Sequence, residues 1–173
     1  MAQIDQIQVQ FVPAEDRLLM RITTKDGAEY LFWMTRRYLK LMWPGLTKML
    51  ARDPQISIRA SPAARHELLA FAHEQAVGAA DFATPYRAAA KTHPLGPQPI
   101  VLVRMQLRPV DAKHALLSVG PASGAGLDLT LTQELLHAFA SLLGQAVARA
   151  DWDLGPLVPR PQDTAHAARP TFN

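Results

Sequence analysis

The chain sets two arginines and a lysine directly behind a tryptophan, in the stretch Trp33-Met34-Thr35-Arg36-Arg37-Tyr38-Leu39-Lys40. Guanidinium and ammonium groups neutralise phosphates, and an indole offers a face on which a base stacks. Arginines in a first helical turn also oppose the helix dipole, at ~0.3–1 kcal/mol each when exposed, so the fold does not require them there. Arg17, Arg21, Arg104 and Arg108 share the outward parity of strands that also carry Gln6, Gln8, Gln10 and Gln106. The candidate ligand-binding set is therefore Arg17, Arg21, Trp33, Arg36, Arg37, Lys40, Arg104 and Arg108. The expected ligand is single-stranded DNA or RNA held across the outer sheet face and the basic helix start. The competing expectation is a protein-interaction or assembly subunit, a homodimer whose outer sheet face is buried by protein, because an exposed apolar patch usually marks contact with protein.

Other chemistry finds less support. His66 and His73 lie seven apart, too far to share a metal without further ligands, whereas a zinc protease needs histidines four apart around a glutamate. They read as a solvated helix face. His93 precedes Pro94 in a loop, His114 starts a strand, His137 reads as the solvent side of the last helix, and His166 lies in the tail. None neighbours a nucleophile in sequence. The glycine-rich run Gly120–Gly126 links two strands and reads as a hairpin loop rather than a phosphate cradle. With no cysteine, thiolate metal sites are excluded. The expectation is a non-catalytic binding protein without cofactor or metal. An enzyme whose site forms only in space is a third reading.

The elements that must position these residues follow from periodicity. Ile7, Val9 and Phe11 alternate with glutamines, then Leu18, Met20 and Ile22 alternate, then Tyr30, Phe32 and Met34, giving three half-buried strands. Asp26-Gly27 marks a hairpin and Thr35 a helix N-cap. The last third repeats the plan. Moved back by 97 positions, Ala115, Leu117 and Val119 fall on Leu18, Met20 and Ile22, and Leu127, Leu129 and Leu131 fall on Tyr30, Phe32 and Met34. Thr132 falls on Thr35. The helix stripe Leu136, Phe139, Ala140, Leu143, Ala146, Val147 falls on Leu39, Met42, Trp43, Leu46, Met49, Leu50. The strand through Val101, Val103, Met105 and Leu107 needs a shift of 96, with Pro109 on Pro13. Pro44 should kink or restart its helix.

The expected fold is thus α+β, an internally duplicated βββα repeat with about six mostly antiparallel strands. The repeats span about 4–53 and 99–151 of a single domain, 1–151, and are joined by a helix and loop over 54–98. The linking helix opens at Ser61-Pro62 and runs to about Ala79, with Leu68, Phe71, Ala72 and Ala76 as its buried stripe. Residues 80–99 read as a surface loop pinned by Phe82 and Tyr86, and 152–173 as a proline-rich, partly disordered tail. In layout only, the tandem sheet-plus-helix plan is similar to the PUR and Whirly single-stranded nucleic-acid binders. Those repeats have four strands where three are counted here, and no residue is carried over.

The 173 residues suit one domain, the net charge of +3 permits but does not demand an acidic partner, and no run of about 18 apolar residues predicts a membrane span. MAQIDQIQVQ lacks the basic and apolar regions of a secretory signal, so a cytoplasmic location is expected.

Overall fold

The alternation at Ile7, Val9 and Phe11 becomes strand β1, Ile4–Val12, followed by β2, Arg17–Thr24, and β3, Glu29–Met34. The computed structural model describes residues 3–52, 56, 61–87 and 92–158. After β3 come helices α1, Arg36–Leu50, and α2, Pro62–Ala79, then β4, Ile100–Val101, β5, Arg104–Pro109, β6, His114–Gly120, β7, Leu127–Thr132, and helix α3, Gln133–Arg149. The described residues form an α+β protein with two sheets, ordered β1-β2-β3-β4 and β5-β6-β7, and three helices.

The turns and caps sit where local chemistry puts them. The Gly27 N–H donates to the Thr24 carbonyl at 2.8 Å, and Gly27 takes φ 84°, which lacks the steric cost a Cβ would bring. Gly124 takes φ 88° in the β6–β7 hairpin. Thr35 accepts from the Tyr38 N–H and Thr132 from the Leu135 N–H, each at 3.2 Å, so both long helices start on a threonine cap. Ser61 caps α2 in the same way, with Pro62 in its first turn. α1 continues through Pro44. Pro44 faces solvent, so the Lys40 carbonyl it leaves without an intrahelical donor can be met by water.

Strand pairing recurs at a fixed offset. Leu18, Met20 and Ile22 face Met34, Phe32 and Tyr30, and adding 97 to every member gives the β6–β7 pairs Ala115–Leu131, Leu117–Leu129 and Val119–Leu127. The first strands fit differently from the expectation. Met20 pairs with Val9, and its counterpart Leu117 pairs with Leu107, so Leu107 stands over Val9 and the offset is 98, not 96.

The stretch 100–109 is a further correction. The expected single strand is two: β4 runs parallel to β3, and β5 runs antiparallel to β6. Between them the Leu102 N–H donates to the Trp33 carbonyl and the Val103 N–H to the Gly120 carbonyl, each at 2.9 Å, so the chain bonds one sheet and then the other. The crossing breaks the alternation. Val101 and Val103, expected inward, are exposed, and Leu102, expected outward, is buried.

The helices are exchanged between halves. α1 packs on β5 of the second sheet, where the Tyr38 hydroxyl donates to the Arg104 carbonyl at 3.5 Å. α3 packs on β1 of the first sheet as well as on β6 and β7. The stripes predicted on α1 and α3 are all buried, and residues of both halves share one core. α2 lies on α3 and buries Leu69, Ala70 and Ala72. Phe71, expected in its stripe, is 61% exposed, because α2 touches its neighbours along a narrow line on the other side of the helix.

The proline-rich tail begins as packed chain. Trp152 and Leu157 are buried, the Trp152 indole N–H donates to an Asp16 carboxylate oxygen at 3.1 Å, and the Trp43 indole N–H donates to the Gly155 carbonyl at 3.1 Å. The tail beyond Val158, His166 included, lies outside the described residues.

Candidate functional site on helix α1

Helix α1 has no acidic residue, and its outward half is Arg36, Arg37, Lys40, Leu41, Pro44, Gly45 and Lys48. At about 100° per residue these seven positions, with half-buried Thr47 whose hydroxyl donates to the Leu157 carbonyl at 3.3 Å, fill one half of the helix cylinder, and Tyr38, Leu39, Met42, Trp43, Leu46, Met49 and Leu50 fill the other. The apolar half is what fixes the orientation, since it can only be buried against β5 and the shared core. The four cations therefore lie along one exposed strip of about 18 Å from Arg36 to Lys48. None forms an ion pair among the described residues. Leu41, 68% exposed, stands among them.

The sheet candidates do not join this strip. Trp33 lies between buried Phe32 and Met34 and so points to the sheet face opposite the helices. It is half-buried, with Val101 directly opposite across the parallel pair. Arg17 makes a 3.8 Å contact to Glu15. Arg21 is half-buried, with its guanidinium 5.9 Å from the centre of the Tyr86 ring. Arg104 is tied to its own neighbourhood: Nε donates to the Pro121 carbonyl and Nη2 to the Gly124 carbonyl, each at 2.6 Å. Arg108 is exposed on β5 with no ion pair among the described residues.

The outer face is partly covered. Leu19, Thr23, Glu29 and Leu116 are buried there. The Tyr86 hydroxyl donates to Glu29 Oε1 at 2.7 Å, and His93 Nε2 meets Glu29 Oε2 at 3.0 Å. The Arg87 N–H donates to Gln6 Oε1 at 3.0 Å. Burial and the Glu29 carboxylate push the Tyr86 hydroxyl up from its ordinary value, so it stays a donor. Tyr86 thus pins the loop as expected, whereas Phe82 is 41% exposed.

Two pairings had no sequence signal. His114 sits beside Asp111 in a turn, Nδ1 to Oδ2 at 2.8 Å. The N–H groups of Lys113 and His114 and the imidazole bond the Asp111 carboxylate and lower its pKa, the Lys113 N–H most. His73 and His137 meet Nδ1 to Nδ1 at 3.1 Å. His137, expected on the solvent side, is 1% exposed, because α2 covers that side of α3. Burial, and then the neighbouring His137, push His73 down to about 4, so it is neutral near pH 7. Among the described residues, no three His, Asp or Glu side chains gather to hold a metal ion, and no helix is long and apolar enough to cross a membrane. Comparison with protein-family models, with curated proteins and with solved structures finds no match for this chain.

Proposed function

We propose that the protein binds single-stranded nucleic acid through the cationic face of α1, with Arg36, Arg37, Lys40 and Lys48 on phosphates. The observation that carries this reading is the uncompensated charge: four cations on one exposed strip, no acid on the helix, and two arginines at the end where the dipole disfavours them. Leu41 supplies an apolar contact for a base within the strip. This narrows the ligand surface from the sheet to the helix, since Arg17, Arg21 and Arg104 have internal partners. A salt titration of a fluorescein-labelled oligothymidine tests it by anisotropy. Four phosphate contacts to a single strand give a log–log slope of about −3. No saturable binding at low salt overturns the reading.

The rival, an assembly subunit, has its own support in Val101, which stands opposite Trp33, and Val103, 38% and 59% exposed. Sedimentation separates the two: a dimer that dissociates on Val103→Glu favours the rival. The two halves are also proposed to be copies of one βββα unit. The recurrence of β2–β3 pairing at an offset of 97, with matching threonine caps, supports that descent.

A further inference from the structure

Strand β1 is an edge of its sheet, and a groove of about 640 Å³ runs beside it. β1 carries none of the usual guards of an open edge beyond Asp5 and a bulge near its start: Gln6–Val12 holds no lysine, arginine or proline. From Ile4 to Phe11 its backbone makes no hydrogen bond outside the sheet among the described residues. A strand edge in this state presents a row of donors and acceptors at the spacing an extended chain requires.

The groove supplies what the edge lacks. It is lined by Leu135, Ala138 and Leu142 of α3, by Ala76 and Ala79 of α2, by the loop from Ala80 to Tyr86, and by Ile7 and Val9 on the strand side. These surfaces accept alternate side chains of an added strand. The charged residues that line it are Asp5, Asp81 and Glu134, with no lysine or arginine. Thr84 bonds the Asp81 carboxylate through its hydroxyl and its N–H, and the Glu134 carboxylate is held by its own N–H and the Thr132 hydroxyl; both stay anionic, and with Asp5 they keep the groove's charge negative. α1 does not line the groove, so nucleic acid on its cations leaves the groove open.

We propose that this groove receives an extended peptide of a partner protein, which adds to β1 as a further strand and alternates apolar with basic side chains. Backbone bonds to β1 supply affinity, the apolar wall selects every second residue, and Asp5 and Glu134 select cations over anions at the remaining positions. From Ile4 to Val9 the edge spans about 17 Å, matching six residues of an added strand.

The probe is an acetylated, amidated heptapeptide alternating valine with lysine, titrated into the full chain and followed by amide NMR. The expected result is saturable binding that shifts and slows exchange of the Gln6–Val9 amides. A peptide N-methylated at every second residue should bind at least tenfold more weakly, and Asp5→Lys combined with Glu134→Lys should weaken the unmodified peptide about tenfold. Equal binding of the methylated peptide, equal binding of a valine–glutamate peptide, or shifts confined to other surfaces overturns the proposal. Concentration-dependent protection of the β1 amides without peptide also overturns it, since a second copy of the chain would then fill the edge. The methylation comparison uses the unaltered protein, so a double variant that fails to fold leaves the test intact.

Discussion

Helices α1 and α3 hold the same place in the two halves of the molecule. Each follows a strand triplet, starts on a threonine cap, and buries a stripe of apolar residues at matching positions. Their outward faces diverge. α3 places Glu134 in its first turn and Arg149 in its last, as the dipole favours, whereas α1 opens on Arg36 and Arg37 and carries only cations. The buried half of a helix answers to the core, and the core constrains both helices alike. The exposed half is free to differ, so a difference there that runs against local stability points to a ligand rather than to folding.

A second contrast lies on the outer sheet face. In the first half the row Gln6, Thr23 and Glu29 holds the loop through Arg87, Tyr86 and His93. In the second half the same row is Arg104, Gly120 and Gly126, and the Arg104 guanidinium lies where side chains would stand. One half uses this end of the face to dock a loop, and the other closes it with its own arginine.

The comparison can be broken first at the core. Leu39 and Leu136 are both fully buried and stand at equivalent positions. Leu39→Ala and Leu136→Ala should each cost about 2–5 kcal/mol in urea denaturation. Loss at one position and near-neutrality at the other would show that the two stripes do unequal jobs. On the outer face, a Cβ on Gly126 would stand 2.3 Å from the Val119 carbonyl oxygen. Gly126→Ala should therefore cost about 1–3 kcal/mol. Glu29→Ala, at the matching site, should cost about as much by leaving the half-buried Tyr86 hydroxyl unpaired. A neutral Gly126→Ala would mean that the β6–β7 hairpin yields.

The contact between α2 and α3 sharpens the comparison further, since α1 is met by the tail instead, at Gly155 and Leu157. His73 sits below its ordinary value of 6.5, at about 4. Above pH 6.5 it is neutral in both folded and unfolded chains and costs nothing. As pH falls from 6.5 toward 4 the unfolded chain binds a proton that the folded chain resists, so stability declines across that window. Urea midpoints at pH 7.5 and pH 5 should show the decline, and His73→Gln should reduce it. An undiminished decline in the variant would assign it elsewhere.

Much of this fold is legible in the sequence. Period and capping placed α1, α2 and α3, since Thr35, Ser61 and Thr132 act locally and the stripes are long. The crossing at Leu102 was not legible, because alternation assumes one strand in one sheet, and this stretch changes sheets mid-course. His137 read as solvent-facing because nothing in its own helix reveals that α2 will cover it. On the site, the α1 cations are legible as excess charge over the corresponding positions of α3. The internal ties of Arg21 and Arg104 are not, since Tyr86 and Gly124 reach them only through the tertiary fold.

The central claim is that the ligand face is α1 and not the outer sheet. It is tested most directly by oligothymidine anisotropy at low salt on two charge-altered proteins. The account predicts that Arg36→Glu, Arg37→Glu and Lys40→Glu together weaken binding at least 100-fold with thermal stability unchanged or slightly raised, while Arg17→Gln with Arg108→Gln changes it less than threefold. Equal losses in the two proteins, or a loss confined to the sheet variant, would contradict it.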